Sequence, residues 1–179
     1  MVPTVTLRPL RESDAEELHA AVRESMEEVS RWMVWCHPRY SVEDATAWIR
    51  TTIAGRASGA CHEFCITDDS GRIVGGCGIN HVNSADRFAN LGYWVRSTCT
   101  GRGYASGAAR AAIQWAFRHT TLNRLEIVVA VDNVPSQRVA QRVGAVREGI
   151  LRQRVMVRGG PADAIMHSVV RSDLQDARA

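Results

Sequence analysis

Polar and apolar residues alternate from Thr4 to Leu10 (TVTLRPL), which is the two-residue period of a strand. The period then changes. Through RESDAEELHAAVRESMEEV, residues Ala15, Leu18, Ala21, Val22 and Val29 recur at helical spacing. Ser13 or Asp14 is placed to cap that helix, and its acidic first turn suits the positive end of the dipole. A tryptophan-rich connection, SRWMVWCHPRY, leads to SVEDATAWIRTTIAGR, where Ser41 and Asp44 have the spacing of a capping box, predicting a helix to about Arg56. Three strand-like runs follow, CHEFCITD, GRIVGGCGINHV and RFANLGYWVRS, separated by turn formers, and they predict an antiparallel meander. Next come a helix from Gly103 to His119, the strand RLEIVVAVD, a short helix PSQRVAQRV stopped by Gly144, and two strands around Gly159, Gly160 and Pro161. The pattern is that of a single α/β domain of the α+β type over residues 1–179. Its sheet is mixed and mostly antiparallel, with helices interrupting it.

Composition narrows the reading. All 22 basic residues are arginine, the formal charge is only +3, and the arginines are scattered rather than gathered into a stripe, so no nucleic-acid footprint is evident. No run of about 18 uncharged apolar residues exists, and no signal-peptide pattern opens the chain, which gives the expectation of a soluble, cytoplasmic protein without a membrane contact. The five cysteines, Cys36, Cys61, Cys65, Cys77 and Cys99, show no metal-ligand spacing and read as reduced, small apolar residues; no metal is expected.

The helix from Gly103 raises the question of function. Ala105, Ala108, Ala109, Ala112, Ile113, Ala116 and Phe117 form its apolar stripe, while Ser106, Arg110, Gln114 and Arg118 line the opposite side. Gly101 and Gly103 remove side chains where a loop turns into the helix, whose first N–H groups have no intrahelical acceptor. Such a terminus either makes a tight turn or binds a pyrophosphate. A phosphate loop of the Gly-Lys-Ser/Thr type is excluded, since the chain has no lysine. Gly101, Gly103 and Gly107, with Glu126 further on, partly match a dinucleotide fingerprint, but only one more short helix follows, against the repeated units of that fold. A nucleotide-binding oxidoreductase is therefore the most distant reading.

Thr100-Gly101-Arg102-Gly103-Tyr104-Ala105 resembles the acyl-CoA loop of the GCN5-related N-acetyltransferases, with threonine at its first position, and LGYWV is similar to that family's central strand. DNVPSQRVAQRVGAV resembles its second motif, with Ala145 in place of an aromatic. SRWMVWCHPRYSVEDATAWI and IMHSVVRSD resemble the RimJ/RimL-like group, which acetylates ribosomal-protein N-termini, although His167 stands where tyrosine is usual. The resemblance spans nearly the whole chain. It implies a parallel strand pair that splays between LGYWV and LEIVVAV to admit acetyl-CoA. The acceptor is then a protein α-amine, or alternatively a small amine, amino acid or antibiotic. A CoA-sensing module without turnover is the non-enzyme alternative, and a homodimer is left open.

Residue by residue, the resemblance implies cofactor contacts from Tyr93, Trp94, Val95 and Arg96 on the strand and from Gly101, Arg102, Gly103, Tyr104, Ala105 and Ser106 on the loop. Asn133 either caps the short helix alone or also contacts the pantetheine. Ser136 either donates to the CoA sulfur or only occupies the helix's first turn. The glutamate that some relatives use as base falls at Val155, which carries no proton, so Glu126 is the next candidate, with Glu63, His81 or a water chain behind it. Trp32 and Trp35, whose i, i+3 spacing puts both on one helical face, either wall the acceptor pocket or belong to the core. Glu27, Glu28 and Glu43 either attract a cationic terminus or line exposed helix faces.

Overall fold

The computed structural model describes residues 5–176; Thr4 and the rest of both termini lie outside them. Seven strands form one sheet in the order β1-β2-β3-β4-β5-β7-β6. They span Thr6–Pro9 (β1), His62–Thr67 (β2), Ile73–Asn83 (β3), Phe88–Val95 (β4), Arg124–Ala130 (β5), Val146–Val157 (β6) and Gly160–Val170 (β7). The expected meander is β2-β3-β4. Every pairing is antiparallel except that of β4 with β5.

Helices cover both faces of the sheet. On one lies α4, Tyr104–His119, whose stripe of Ala108, Ala109, Ala112 and Ala116 is fully buried against Leu91, Leu125 and Ile127. Methyl side chains bring the helix axis close to the strands. On the other face lie α1, Ala15–Glu24, and α3, Val42–Ser58, packing Leu18, Val22, Ala45 and Ile49 over Cys65 and Ile73. The Ser41–Asp44 capping box is present, and Gly59 ends α3 in the left-handed conformation at φ 75°. A short α5, Val134–Arg142, follows β5. No described helix is long and apolar enough to cross a membrane.

Three local expectations are corrected. The first helix breaks at buried Ser25, and a separate turn, α2, covers Met26–Val29. Ser25 Oγ donates to the Ala21 carbonyl at 2.9 Å and accepts the Ser97 amide at 3.1 Å, so a tertiary contact decides where the helix stops. Neither Ser13 nor Asp14 caps α1 through its side chain: Asp14 instead takes both guanidinium nitrogens of Arg8, at 2.7 and 2.9 Å. Finally, residues 30–40 form turns, so Trp32 and Trp35 share no helical face.

Arg96 fixes the end of β4. Its side chain is buried, with Nε donating to the Ile73 carbonyl at 2.6 Å and Nη1 to Glu24 at 2.7 Å. The Thr98 hydroxyl, aided by Arg96, holds the Glu24 carboxyl below the ordinary glutamate range against the cost of its burial. Removing one partner of such a pair strands the others. Arg96→Met is expected to lower stability by about 3 kcal/mol, read from the urea midpoint. A wild-type midpoint would remove Arg96 from the framework.

Candidate active site

Strands β4 and β5 pair at only three positions, Phe88↔Arg124, Ala89↔Leu125 and Asn90↔Glu126. Beyond Asn90 they part. From there β5 continues beside β7 up to Ala130↔Ala164, and β4 continues beside β3 up to Val95↔Gly75. The Arg96 amide donates to the Val74 carbonyl at 2.7 Å, which sets the parity of the β3–β4 ladder. Alternation then turns the backbone of Gly92, Trp94 and Arg96 toward β3, and that of Leu91, Tyr93 and Val95 into the opening. Of the four strand residues expected to hold the cofactor, Tyr93 and Val95 present backbone groups to the gap. Trp94 and Arg96 do not, because their amides belong to the ladder.

The glycine loop lies just beyond. Gly101 and Gly103 have φ of 73° and 95°, conformations that L side chains rarely adopt. The first helical bond of α4 runs from the Gly107 amide to the Gly103 carbonyl at 2.9 Å. The N–H groups of Tyr104, Ala105 and Ser106 precede it, without intrahelical acceptors, at the positive end of a 16-residue helix. Arg102 is exposed beside them. Gly107 has another task, since a Cβ there would lie 2.7 Å from Val5 Cγ2. The loop is anchored to α1 and α2: Ser97 Oγ donates to Glu28 and Thr98 Oγ1 to Glu24, both at 2.6 Å. Glu28 is thereby engaged, Glu27 pairs with Arg31 at 3.3 Å, and Glu43 stays exposed on α3. None of the three lines the cavity on the α1/α3 face.

Tyr93 spans from β4 to α5. Its hydroxyl lies 3.1 Å from both the Ser136 carbonyl oxygen and Ser136 Oγ. Burial pushes its pKa up to about 12, so it stays a neutral donor. Asn133 caps α5, its Oδ1 accepting the Ser136 amide at 3.2 Å. Ser136 is thus held in place from two sides, by the cap and by the Tyr93 phenol.

On the α1/α3 face, a cavity of about 600 Å³ reaches the β4 segment Gly92–Trp94. Trp35 lines it, with its ring centroid 6.0 Å from that of Trp94 and 5.9 Å from that of Tyr40. Trp32 is half-buried and outside the lining. Glu126 also lies outside it: its Oε1 accepts from Arg124 Nε at 2.9 Å, and Arg124 in turn reaches Glu148 at 2.6 Å. Arg124 and the Ser168 hydroxyl draw the Glu148 carboxyl down to about 2. The carboxylates that do line the cavity are Asp44, at the start of α3, and buried Glu63, on β2. By sequence Glu63 stands behind Glu126 as a candidate base; the register that sets Glu63 opposite Gly78 is what brings it to the cavity, and periodicity does not supply it. Val155 sits on β6 opposite Ala162, after a register shift. Among the described residues, no group of His, Cys, Asp or Glu is arranged to hold a metal ion.

A splayed parallel pair, a glycine loop with three free amides and a serine held over the gap together fit an acyl-CoA. Comparison with known proteins points the same way. Residues 4–146 match the acetyltransferase (GNAT) domain. The Bacillus subtilis (strain 168) protein YdaF is 26% identical, over 94% of this chain and 92% of its own length. The ribosomal-protein-serine acetyltransferase of Escherichia coli (strain K12) is 25% identical, over 84% and 83%. Among solved structures, Mycobacterium smegmatis RimJ in complex with CoA-disulfide is 30% identical, with a TM-score of 0.87, covering 97% of this chain and 85% of that one. The chain belongs to the acetyltransferase (GNAT) family, and it is an N-acetyltransferase that takes its acetyl group from acetyl-CoA.

Proposed function

We propose that the acceptor is the α-amine of a protein N-terminus, of the ribosomal-protein type. The observation that carries this reading is the meeting of two spaces at β4: the cavity from the α1/α3 face and the opening toward β5 share Gly92 to Trp94. An amine entering the first reaches a thioester held in the second. The names of the Escherichia coli and Bacillus subtilis relatives support a ribosomal-protein acceptor. A small apolar amine is the second reading, favoured by a cavity lined by Trp35, Tyr40 and Trp94 and by no arginine in a chain that has 22.

Each step then falls to particular groups. The amides of Tyr104, Ala105 and Ser106 take the pyrophosphate, with Arg102 beside them. The backbone of Tyr93 and Val95 takes the pantetheine arm and polarises the thioester carbonyl. The amine nitrogen attacks the carbonyl carbon directly, the new C–N bond forms, and the C–S bond breaks. Ser136 Oγ donates a proton to the leaving sulfur, and the Tyr93 hydroxyl, 3.1 Å away, holds the serine in place as it does so. An α-amine, with a pKa of about 8, is partly neutral at physiological pH, so little is required to prepare it for attack.

Ser136→Ala is expected to lower kcat at least about tenfold while leaving acetyl-CoA affinity within twofold, and Tyr93→Phe to lower it less. Equal kcat in wild type and Ser136→Ala would remove Ser136 from catalysis. Gly103→Val, which forces a β-branched side chain into φ 95°, is expected to weaken acetyl-CoA binding at least about tenfold by calorimetry. Unchanged binding would place the pyrophosphate elsewhere.

A further inference from the structure

The cavity floor is a strip of backbone without side chains. Glu63 on β2 pairs with Gly78 on β3, and Gly78 with Gly92 on β4, so the three residues form one row across the sheet ending at the strand that borders the opening. A Cβ on Gly78 would lie 1.6 Å from Glu63 Oε2, which shows that the carboxylate leans over that glycine toward β4. A Cβ on Gly92 would meet only Asn90 Nδ2, at 3.7 Å, so the space above it is open. Neighbouring strands are about 4.8 Å apart. The Glu63 carboxylate therefore reaches a group seated over Gly92.

The strip has walls. On one side Trp94 folds back over Gly76, where a Cβ would lie 2.6 Å from its indole Nε1. On the other, Asn90 Nδ2 donates to Asn80 Oδ1 at 2.8 Å, and Asn80 Nδ2 donates to Glu63 Oε1 at 2.9 Å. This chain starts at Asn90, the last residue of β4 that pairs with β5. It fixes one oxygen of Glu63. The other, Oε2, has no hydrogen-bond partner among the described residues, although Glu63 is more than nine-tenths buried and lines the cavity.

We propose that the acceptor amine sits over Gly78 and Gly92, between Glu63 and the thioester, and that Glu63 Oε2 takes the proton it sheds. This rests on the reading above, in which the β4–β5 opening holds the thioester. As the nitrogen bonds to the carbonyl carbon it becomes positively charged, and its N–H proton passes to Oε2. The C–S electron pair leaves with sulfur, which takes the Ser136 proton. Glu63 then releases its proton to water in the cavity, and Ser136 recovers one from water. Burial raises the Glu63 carboxyl above the ordinary glutamate range, opposed by the Asn80 hydrogen bond and by the charges of His81 and Arg56. The titratable groups around it are Arg56 from α3, whose Nη2 donates to the Glu63 carbonyl at 2.7 Å, Asp44 from α3, which lines the same cavity, His81 from β3, and Cys61 just before β2. A raised pKa brings a carboxylate nearer to that of the amine it must deprotonate. The base is active above that pKa, so the rate rises with pH through it.

Two variants test the assignment, with amidated peptides bearing free N-termini and phenethylamine as acceptors, and CoA release as the readout. Glu63→Gln keeps an acceptor for Asn80 and removes a buried charge, so the fold is preserved. It is expected to lower kcat about 100-fold, with acetyl-CoA affinity unchanged and the remaining activity rising only at more alkaline pH. Gly92→Ala places a methyl group in open space and is expected to raise the KM for the amine at least about tenfold at unchanged acetyl-CoA affinity. Wild-type kcat and an unshifted pH profile in Glu63→Gln would overturn the proposal, as would loss of acetyl-CoA binding in that variant or an unchanged amine KM in Gly92→Ala. If the wild type binds acetyl-CoA but acetylates none of these amines, the acceptor reading falls as well, so the two failures are distinguishable.

Discussion

A parallel strand pair that separates after three positions leaves backbone amides and carbonyls without partners in the middle of a sheet. Unpaired main-chain groups are costly unless water or a ligand takes them up, and here they lie at the edge of a gap rather than inside the core. Tyr93 and Val95 supply those groups, while the alternate residues bind β3. The edge is unsatisfied by the fold and so is available to an extended ligand. The pantetheine arm, a chain of amides, has the matching donors and acceptors.

The rest of the molecule holds that edge open. Arg96, Glu24 and Ser25 tie the end of β4 and the following loop to α1, so that the glycine loop enters α4 in a fixed direction. On the far side, Asn133 caps α5 and sets Ser136 against Tyr93, a contact that bridges the gap without closing it. The opening thus has an anion site at one end and a proton donor on one wall. The sheet itself separates two approaches: α4, with the acyl-CoA loop, lies on one face, and the aromatic cavity on the other, and they meet only where β4 and β5 diverge.

Much of this frame was legible in the sequence. The alanine stripe of α4, the capping box of α3 and the three-strand meander follow from local periodicity and turn chemistry, and the structure places them as expected. What depends on distant partners was not legible. The break at Ser25 needs the Ser97 amide, and the burial of Arg96 needs the Ile73 carbonyl and Glu24. Ladder parity decides that Tyr93 and Val95, rather than Trp94 and Arg96, face the gap, and a motif carries no parity. Glu63 and Glu126 look alike as strand glutamates until register sets Glu63 over Gly78; the neighbouring Arg124, two residues before Glu126 on the same strand, follows from alternation alone.

Backbone amide hydrogen exchange with and without CoA tests the central claim most directly. In the free protein the amides of Gly92, Trp94 and Arg96 should already be protected, and those of Tyr93 and Val95 should exchange fast. On adding CoA, Tyr93, Val95 and the Tyr104–Ser106 amides are predicted to gain protection together. Protection that appears elsewhere, with Tyr93 and Val95 still exchanging freely, would contradict the account.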